Sequence, residues 1–199
     1  MKILALELSP ARGSLAWVDA VDEFVSEWPN NRKNSSPLFE DLRIVKQEFG
    51  APERIIVGLG PGSYAGTRIA ISAAIGLQLS SKAQLTGWPS ICAMESAAEE
   101  YCVVGDARRN SFFLARILRN ELIEGPTLVS RQELEAKLES LQPTMPVFSS
   151  ELLPKFDHLV IHFPSALVLA KLAEKPGHSF FVSPLEPIYL REPHITLPK

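Results

Sequence analysis

The chain has 199 residues, 46% of them hydrophobic and 22% charged. That is the balance of an ordinary globular protein, with length for one large domain or two small ones. Its formal net charge is −3, which excludes the basic footprint of a primary nucleic-acid binder. Cys92 and Cys102 form neither a disulfide framework nor a zinc spacing. With no signal peptide and no apolar run of spanning length, a cytoplasmic protein without membrane association is expected.

The chain opens on an apolar run, Lys2 to Leu8, that reads as a buried strand. A turn through Ser9, Pro10, Ala11, Arg12 and Gly13 leads to a second strand, Ser14 to Val18, and a third at Glu23 to Trp28 completes a meander. Glu7, at the end of the first strand, has two readings. It is either a carboxylate for a metal or a water, or a solvated residue at a strand end. Asn30 to Ser36 is polar, and Ser36-Pro37 is a helix start. Leu38, Leu42, Val45 and Phe49 then recur at helical spacing up to Gly50.

The centre of the chain is Glu53 to Leu79. Arg54 to Leu59 is a short β-branched run suited to a strand covered on both faces. Gly60, Pro61 and Gly62 make a turn, and Ser63 or Thr67 can cap the helix that follows. That helix mixes Ala70, Ser72, Ala73, Ala74 and Gly76 with Ile69, Ile71, Ile75, Leu77 and Leu79, so it belongs in a core or an interface. The turn invites a phosphate-cradle reading. However, Gly66 is followed by Thr67 and Arg68 rather than by the Lys and Ser or Thr of a P-loop. Gly60, Gly62 and Gly66 also carry one residue too many for a dinucleotide fingerprint. A structural glycine turn is the competing reading.

Gln84 to Trp88 is the next strand, and Pro89-Ser90 is expected to open a helix through Ile91, Met94, Ala97 and Ala98. Tyr101 to Gly105 is a strand ending in Asp106-Ala107-Arg108-Arg109. Asp106 and Arg108 can face a ligand or form a local pair. Ser111 to Leu118 and Glu121 to Ile123 make a hairpin around Arg119-Asn120. Ser130 and Glu133 resemble a capping box that opens a helix with Leu134, Leu138 and Leu141, ended by Pro143. Pro146 to Ser149 and Leu159 to His162 are short strands, Ser165 to Glu174 is a helix, and a proline-rich tail closes the chain. His158, His162, His178 and His194 are scattered, and neither H-E-x-x-H nor C-x-x-C occurs, so no metal site is expected. The pattern is α/β. It comprises two subdomains of mixed sheet with flanking helices, residues 1–104 and a shorter half 105–199 with an extended tail.

The central stretch GLGPGSYAGTRIAISAAIGLQLS resembles the GxGPGSFTGxRIGxxxAxGLA signature of the bacterial TsaB (YeaZ) family. That family serves the machinery that places threonylcarbamoyl groups on the adenosine beside the tRNA anticodon. The likeness continues in Asp106-Ala107-Arg108 and in Glu186 to Arg191, which matches a closing EPxYLR. It departs at Glu7, where the family commonly has Asp within LAIDT. It departs again at Lys33, Asn34, Ser35 and Ser36, where a His is usual before the first helix, and at Asn110 to Phe113, which replace an acidic turn.

The resemblance implies an actin-like, RNase H-like ATPase fold. It also implies a scaffold or activator subunit rather than an enzyme. The partners would be a catalytic transferase paralogue (TsaD-type) and a P-loop ATPase subunit (TsaE-type), with a homodimer when the chain is alone and tRNA met only indirectly. Leu38, Leu42, Val45, Ile69, Ala70, Ala73, Ala74 and Leu77, on two helices, would make the partner surface. No cofactor is expected in the chain itself, although ATP or ADP with Mg can sit at a partner or interface site. The other reading is a small actin-like-fold ATPase or kinase-like enzyme. It would bind nucleotide with Glu7, Ser9, Gly60, Gly62 and Ser63, together with Asp106 and Arg108. A glycoprotease reading, a label attached to some relatives, finds no zinc motif or catalytic-triad pattern here.

Overall fold

In the computed structural model, residues 1–30, 35–154, 156 and 158–191 are described. Most of the polar loop that holds Lys33 and Asn34, and the end of the tail from residue 192, lie outside them. The first meander is present as β1 (Ile3–Glu7), β2 (Arg12–Val18) and β3 (Glu23–Pro29). Helix α1 (Ser36–Glu48) follows, with Pro37 in its first turn. Next come β4 (Arg54–Gly58), helix α2 (Tyr64–Ser81) and β5 (Gln84–Trp88). In β1, odd and even residues serve opposite faces. Leu4, Leu6 and Leu8 enter one core with α1 and α2, whereas Ile3 and Ala5 enter a second core on the back of the sheet.

The second half begins with β6 (Glu100–Asp106), β7 (Ser111–Leu118) and β8 (Glu121–Ser130), which leads into α3 (Arg131–Glu139). The capping box is formed: the Ser130 side chain accepts from Glu133 N–H, and the Glu133 carboxylate accepts from Ser130 N–H at 2.7 Å. Short strands β9 (Val147–Ser149) and β10 (Val160–Ile161) follow, then α4 (Ala166–Glu174) and β11 (Phe181–Val182).

The first sheet has the order β11-β5-β4-β1-β2-β3 and the second β10-β9-β6-β7-β8. In each, an antiparallel meander is extended by two parallel strands from its first member. The second sheet thus repeats the strand order of the first. The repeat is reduced, because a full helix joins β4 to β5 while, among the described residues, none lies between β9 and β10. This is the α/β arrangement of two mixed sheets that the sequence implied.

The two halves are interleaved. Helix α4 packs against β1, β2 and β4 of the first sheet, its first amide bound to the buried Ser14 hydroxyl at 2.9 Å. β11 pairs with the edge of β5. One core is shared: Ile3, Ala16 and Ile56 of the first sheet lie in it with Tyr101, Val103, Phe113, Leu169 and Ala173.

One expected element is absent. Residues after Pro89 make only a single 3-10 turn at Ser90–Cys92, not a helix through Met94, Ala97 and Ala98. The carbonyls of this segment are claimed by other elements. Ile91 accepts from the Tyr101 hydroxyl, Cys92 from Asn120 Nδ2 and Ala93 from Ser165 N–H. Met94 makes an isolated bridge to Pro164. Tertiary partners therefore take the carbonyls that a helix would have used internally.

Candidate functional site

Both sheets present the carboxyl ends of their parallel strands to one crevice, the usual ligand position in α/β sheets. It holds about 540 Å³. Ser9 and Pro10 after β1, Pro61 to Thr67 at the start of α2, Asp106 to Arg108 after β6, Ser150 and Glu151 after β9, and the tail from Pro187 to Arg191 all contribute to its walls.

Of the seven ligand residues expected from the sequence, Ser9, Gly62, Ser63, Asp106 and Arg108 line this cleft, whereas Glu7 and Gly60 lie behind its wall. Ser63 caps α2 with a hydrogen bond from Gly66 N–H at 3.3 Å, a type of contact worth about 1 kcal/mol. Its own amide donates to Ser9 O at 2.7 Å. A Cβ at Gly62 would strike the Ser9 carbonyl, and one at Gly66 would overlap the Leu8 carbonyl. These two glycines let the start of α2 press against the backbone beyond β1. At Ser63 and Gly66, amides that a phosphate cradle would use are bound within the chain. Asn30 completes the joint, its Nδ2 donating to Leu8 O at 2.8 Å and Pro10 O at 2.9 Å.

Glu7 matches neither half of its sequence reading in simple form. It is not solvated: its exposure is 0%. Its side chain folds into the sheet instead of lining the cleft. Oε1 accepts from Ser9 N–H at 2.8 Å, while Oε2 has no hydrogen-bond partner and lies against Gly58. Burial pushes the Glu7 carboxyl up from its ordinary range, and the Ser90 and Ser9 hydroxyls and the Ser9 amide only partly offset this. Ser90 also reaches the glycine turn: its Oγ accepts from Gly60 N–H at 2.8 Å, and its amide donates to Gly60 O at 2.8 Å. Glu7 and Ser90 thus sit beneath the two turns that form the cleft floor.

Asp106 and Arg108 form the local pair that was one of their readings. They face the cleft and they pair locally, with Arg108 N–H donating to Asp106 Oδ1 at 2.7 Å and Arg108 Nη1 to Oδ2 at 3.0 Å. Asp106 N–H donates in turn to Glu151 Oε1 at 2.7 Å. Arg108, Arg109 and Asn110 all have positive φ, between 54° and 65°, a conformation that side chains other than glycine rarely adopt in succession. Sequence reasoning did not single out Glu151, Tyr64, Tyr189 or Arg191 as site residues. Tyr64 follows the Ser63 cap after the glycine turn and Arg191 closes the tail motif, so those two were within reach of the pattern. Glu151 follows a three-residue strand that carries no such signal.

The helices expected to meet a partner lie on the same face of the first sheet. Leu38, Val45, Ala70 and Ala74 are fully or almost fully buried there, and Leu42, Ile69, Ala73 and Leu77 pack partly against the same core. Leu38, Val45, Ala70 and Ala74 form the internal stripe and are not available at the surface. The apolar side chains that α1 and α2 offer to solvent are Phe39, Tyr64, Ile75 and Leu79, the last 80% exposed. Among the described residues no group of three His, Cys, Asp or Glu is placed to hold a metal, and no helix is long and apolar enough to cross a membrane.

Two mixed sheets that repeat one strand order, with a cleft at the ends of their parallel strands, make a duplicated α/β fold. The sequence profile of the family described as "TsaD: tRNA N6-adenosine threonylcarbamoyltransferase" matches residues 38–184, most of the chain, and the chain belongs to that family. Two solved structures from Pseudomonas aeruginosa share its fold. One is a protein with similarity to peptidase YeaZ, with TM-score 0.71 and 22% identity, covering 96% of this chain and 99% of the other. The second is YeaZ itself, with TM-score 0.73 and 21% identity, covering 95% of this chain and 99% of the other. No curated protein sequence matches the chain significantly.

Proposed function

We propose that this chain is a non-catalytic, partner-binding subunit of a cytoplasmic system for tRNA threonylcarbamoyladenosine modification. It docks on the catalytic transferase paralogue through α1 and α2 and works beside a P-loop ATPase subunit. It pairs with itself through the same helices when alone. Membership of a tRNA-modification family and a full-length YeaZ-like fold support a role in that pathway.

The observation that carries the subunit reading is the exposed apolar set Phe39, Tyr64, Ile75 and Leu79 on helices whose other stripe is already committed to the core. Large apolar side chains left exposed on helices whose core stripe is already filled suit an interface. The alternative, a small nucleotide-hydrolysing or phosphoryl-transferring enzyme, asks Glu7 to meet a metal or water in the cleft. The inward fold of that carboxyl, which leaves it outside the cleft lining, weighs against it.

The test is co-purification with the transferase paralogue from the same source, followed by a tRNA threonylcarbamoylation assay. It compares the wild-type chain with a folded Ile75→Arg, Leu79→Arg double variant. Complex formation and raised activity, both lost in the variant, are expected. If the wild-type chain neither binds nor stimulates, the subunit reading is wrong, and Mg-dependent nucleotide binding by calorimetry becomes the next measurement.

A further inference from the structure

The tail enters the cleft without regular secondary structure, yet it is fixed at both lips. Leu185 is buried in the core beneath α2. Ile188 N–H donates to Leu59 O at 2.8 Å, one residue before the glycine turn. Leu190 packs against the core shared by the two sheets. Arg191 Nη2 reaches Arg108 O at 3.5 Å on the opposite lip. Residues 187–191 thus run from the first sheet to the β6–β7 turn and form one wall of the cleft.

Between these anchors, Tyr189 turns outward and is 44% exposed. Its ring lies 5.4 Å from that of Tyr64, at 38°. Tyr64 is the first residue of α2 and is 50% exposed. Arg68, one turn along, donates to Tyr64 Oη at 3.1 Å and stacks over its ring at 5.1 Å. Arg68, Tyr64 and Tyr189 therefore form an exposed chain of contacts leading from the outer face of α2 to the cleft wall.

We propose that residues 185–191 are a strap over the cleft, latched by Tyr189 on Tyr64, and that the paralogue bound on α2 controls the latch. The control half rests on the partner-binding reading above; the latch half does not. The contact is aromatic and half-solvated, so it fastens weakly, and a side chain arriving on the first turn of α2 competes directly for the Tyr64 ring. Displacing Tyr189 loosens residues 188–191, which then rely on the Ile188–Leu59 hydrogen bond, Leu190 against the core and the Arg191–Arg108 contact, while Leu185 stays buried. The cleft then gains an opening between α2 and the β6–β7 turn.

Amide hydrogen exchange on the full chain tests both halves. In Tyr64→Ala, the Ile188 amide is expected to exchange roughly fivefold faster, the size such an aromatic contact supports. The β1 amides should be unchanged, which certifies the fold. Tyr64→Phe keeps the ring but loses the hydroxyl, and should exchange at a rate between those of the wild type and Tyr64→Ala. Unchanged Ile188 exchange in a folded Tyr64→Ala overturns the latch.

Adding the paralogue to the wild-type chain should then shift Ile188 exchange by a similar factor. Co-elution without any shift overturns the control and leaves partner binding standing. Absence of co-elution overturns partner binding and the control together, and leaves the latch as measured on the free chain.

Discussion

Glu7 Oε2 occupies the space in which a side chain at residue 58 would begin: a Cβ on Gly58 would overlap it and meet Ser90 Oγ at 2.6 Å. The longer carboxylate at the end of β1 is thus matched by a glycine at the end of β4, its neighbour strand in the first sheet. Gly58→Ala is expected to destabilise the protein by about 1–3 kcal/mol through overpacking. In a Glu7→Ala background the same change should cost clearly less, with a coupling of about 1 kcal/mol or more. Denaturant unfolding of the four chains checks this, and additive effects would show that the two residues do not compete for space.

The Glu7 carboxyl also sets a pH dependence. Burial raises its pKa in the folded state above the ordinary carboxylate range. The neutral acid is therefore the form that folding favours. Its contribution is fully present below the unfolded value, about 4.3, and is lost as pH rises through the folded value. Glu7→Gln removes that loss. The variant should gain thermal stability relative to the wild type as pH rises from about 4.5 to 8, with the gap widest at the alkaline end. A gap independent of pH would show that the carboxyl does not titrate differently on folding.

Both thiols should be silent in the native protein. Burial, with a smaller push from Glu121, raises the Cys92 thiol to about 12. Burial also raises Cys102, against the pull of Arg116. The thiolate is the reactive form, so an aromatic disulfide reagent at pH 8 should label neither residue until denaturant is added. Fast labelling of the folded chain at either position would contradict this burial.

Asn30, just past the end of β3, holds the turn after β1 through two donated hydrogen bonds, to Leu8 O and Pro10 O. Asn30→Asp replaces a donor with an acceptor facing two carbonyls. It should destabilise by about 2 kcal/mol or more, since buried acceptors are left unmade and charge repulsion is added. Asn30→Ala, which removes the donor without the repulsion, should cost less. Equal melting temperatures for the two variants would rule out the repulsion.

Much of this architecture is legible in the sequence because local chemistry and tertiary demand agree. The β-branched run before Gly60, the Ser63 cap and the Ser130–Glu133 box each specify one local structure, and each is found. Legibility fails where the deciding partner is distant in sequence. The stretch after Pro89 has helical spacing, but Tyr101, Asn120 and Ser165 capture its carbonyls. Phe181 and Val182 form a strand because the edge of β5 is free to receive them.

The site shows the same division. The glycine signature identified one lip of the cleft. However, the turn alone left a phosphate cradle and a structural glycine turn both open, and only the fold shows Gly62 and Gly66 in close backbone approach to Ser9 and Leu8. Nothing local says that Glu7 folds inward; that depends on Gly58 across the sheet. Likewise, the resemblance placed Leu38, Val45, Ala70 and Ala74 on a partner surface, but the packed sheet shows that they look inward.

The position of α4 has a consequence for how the molecule is made. The strands of the first sheet other than its β11 edge have all been synthesised once Trp88 leaves the ribosome, yet residues 166–174, which cover β1, β2 and β4 from behind, have not. At ordinary elongation speeds of about 5–20 residues per second, Ile3, Ala5, Ala16 and Ile56 face water for several seconds. The nascent amino-terminal half is thus a sticky, one-sided sheet, a natural client for chaperones during translation. A gene fragment ending before α4 should yield aggregates in place of a smaller folded protein.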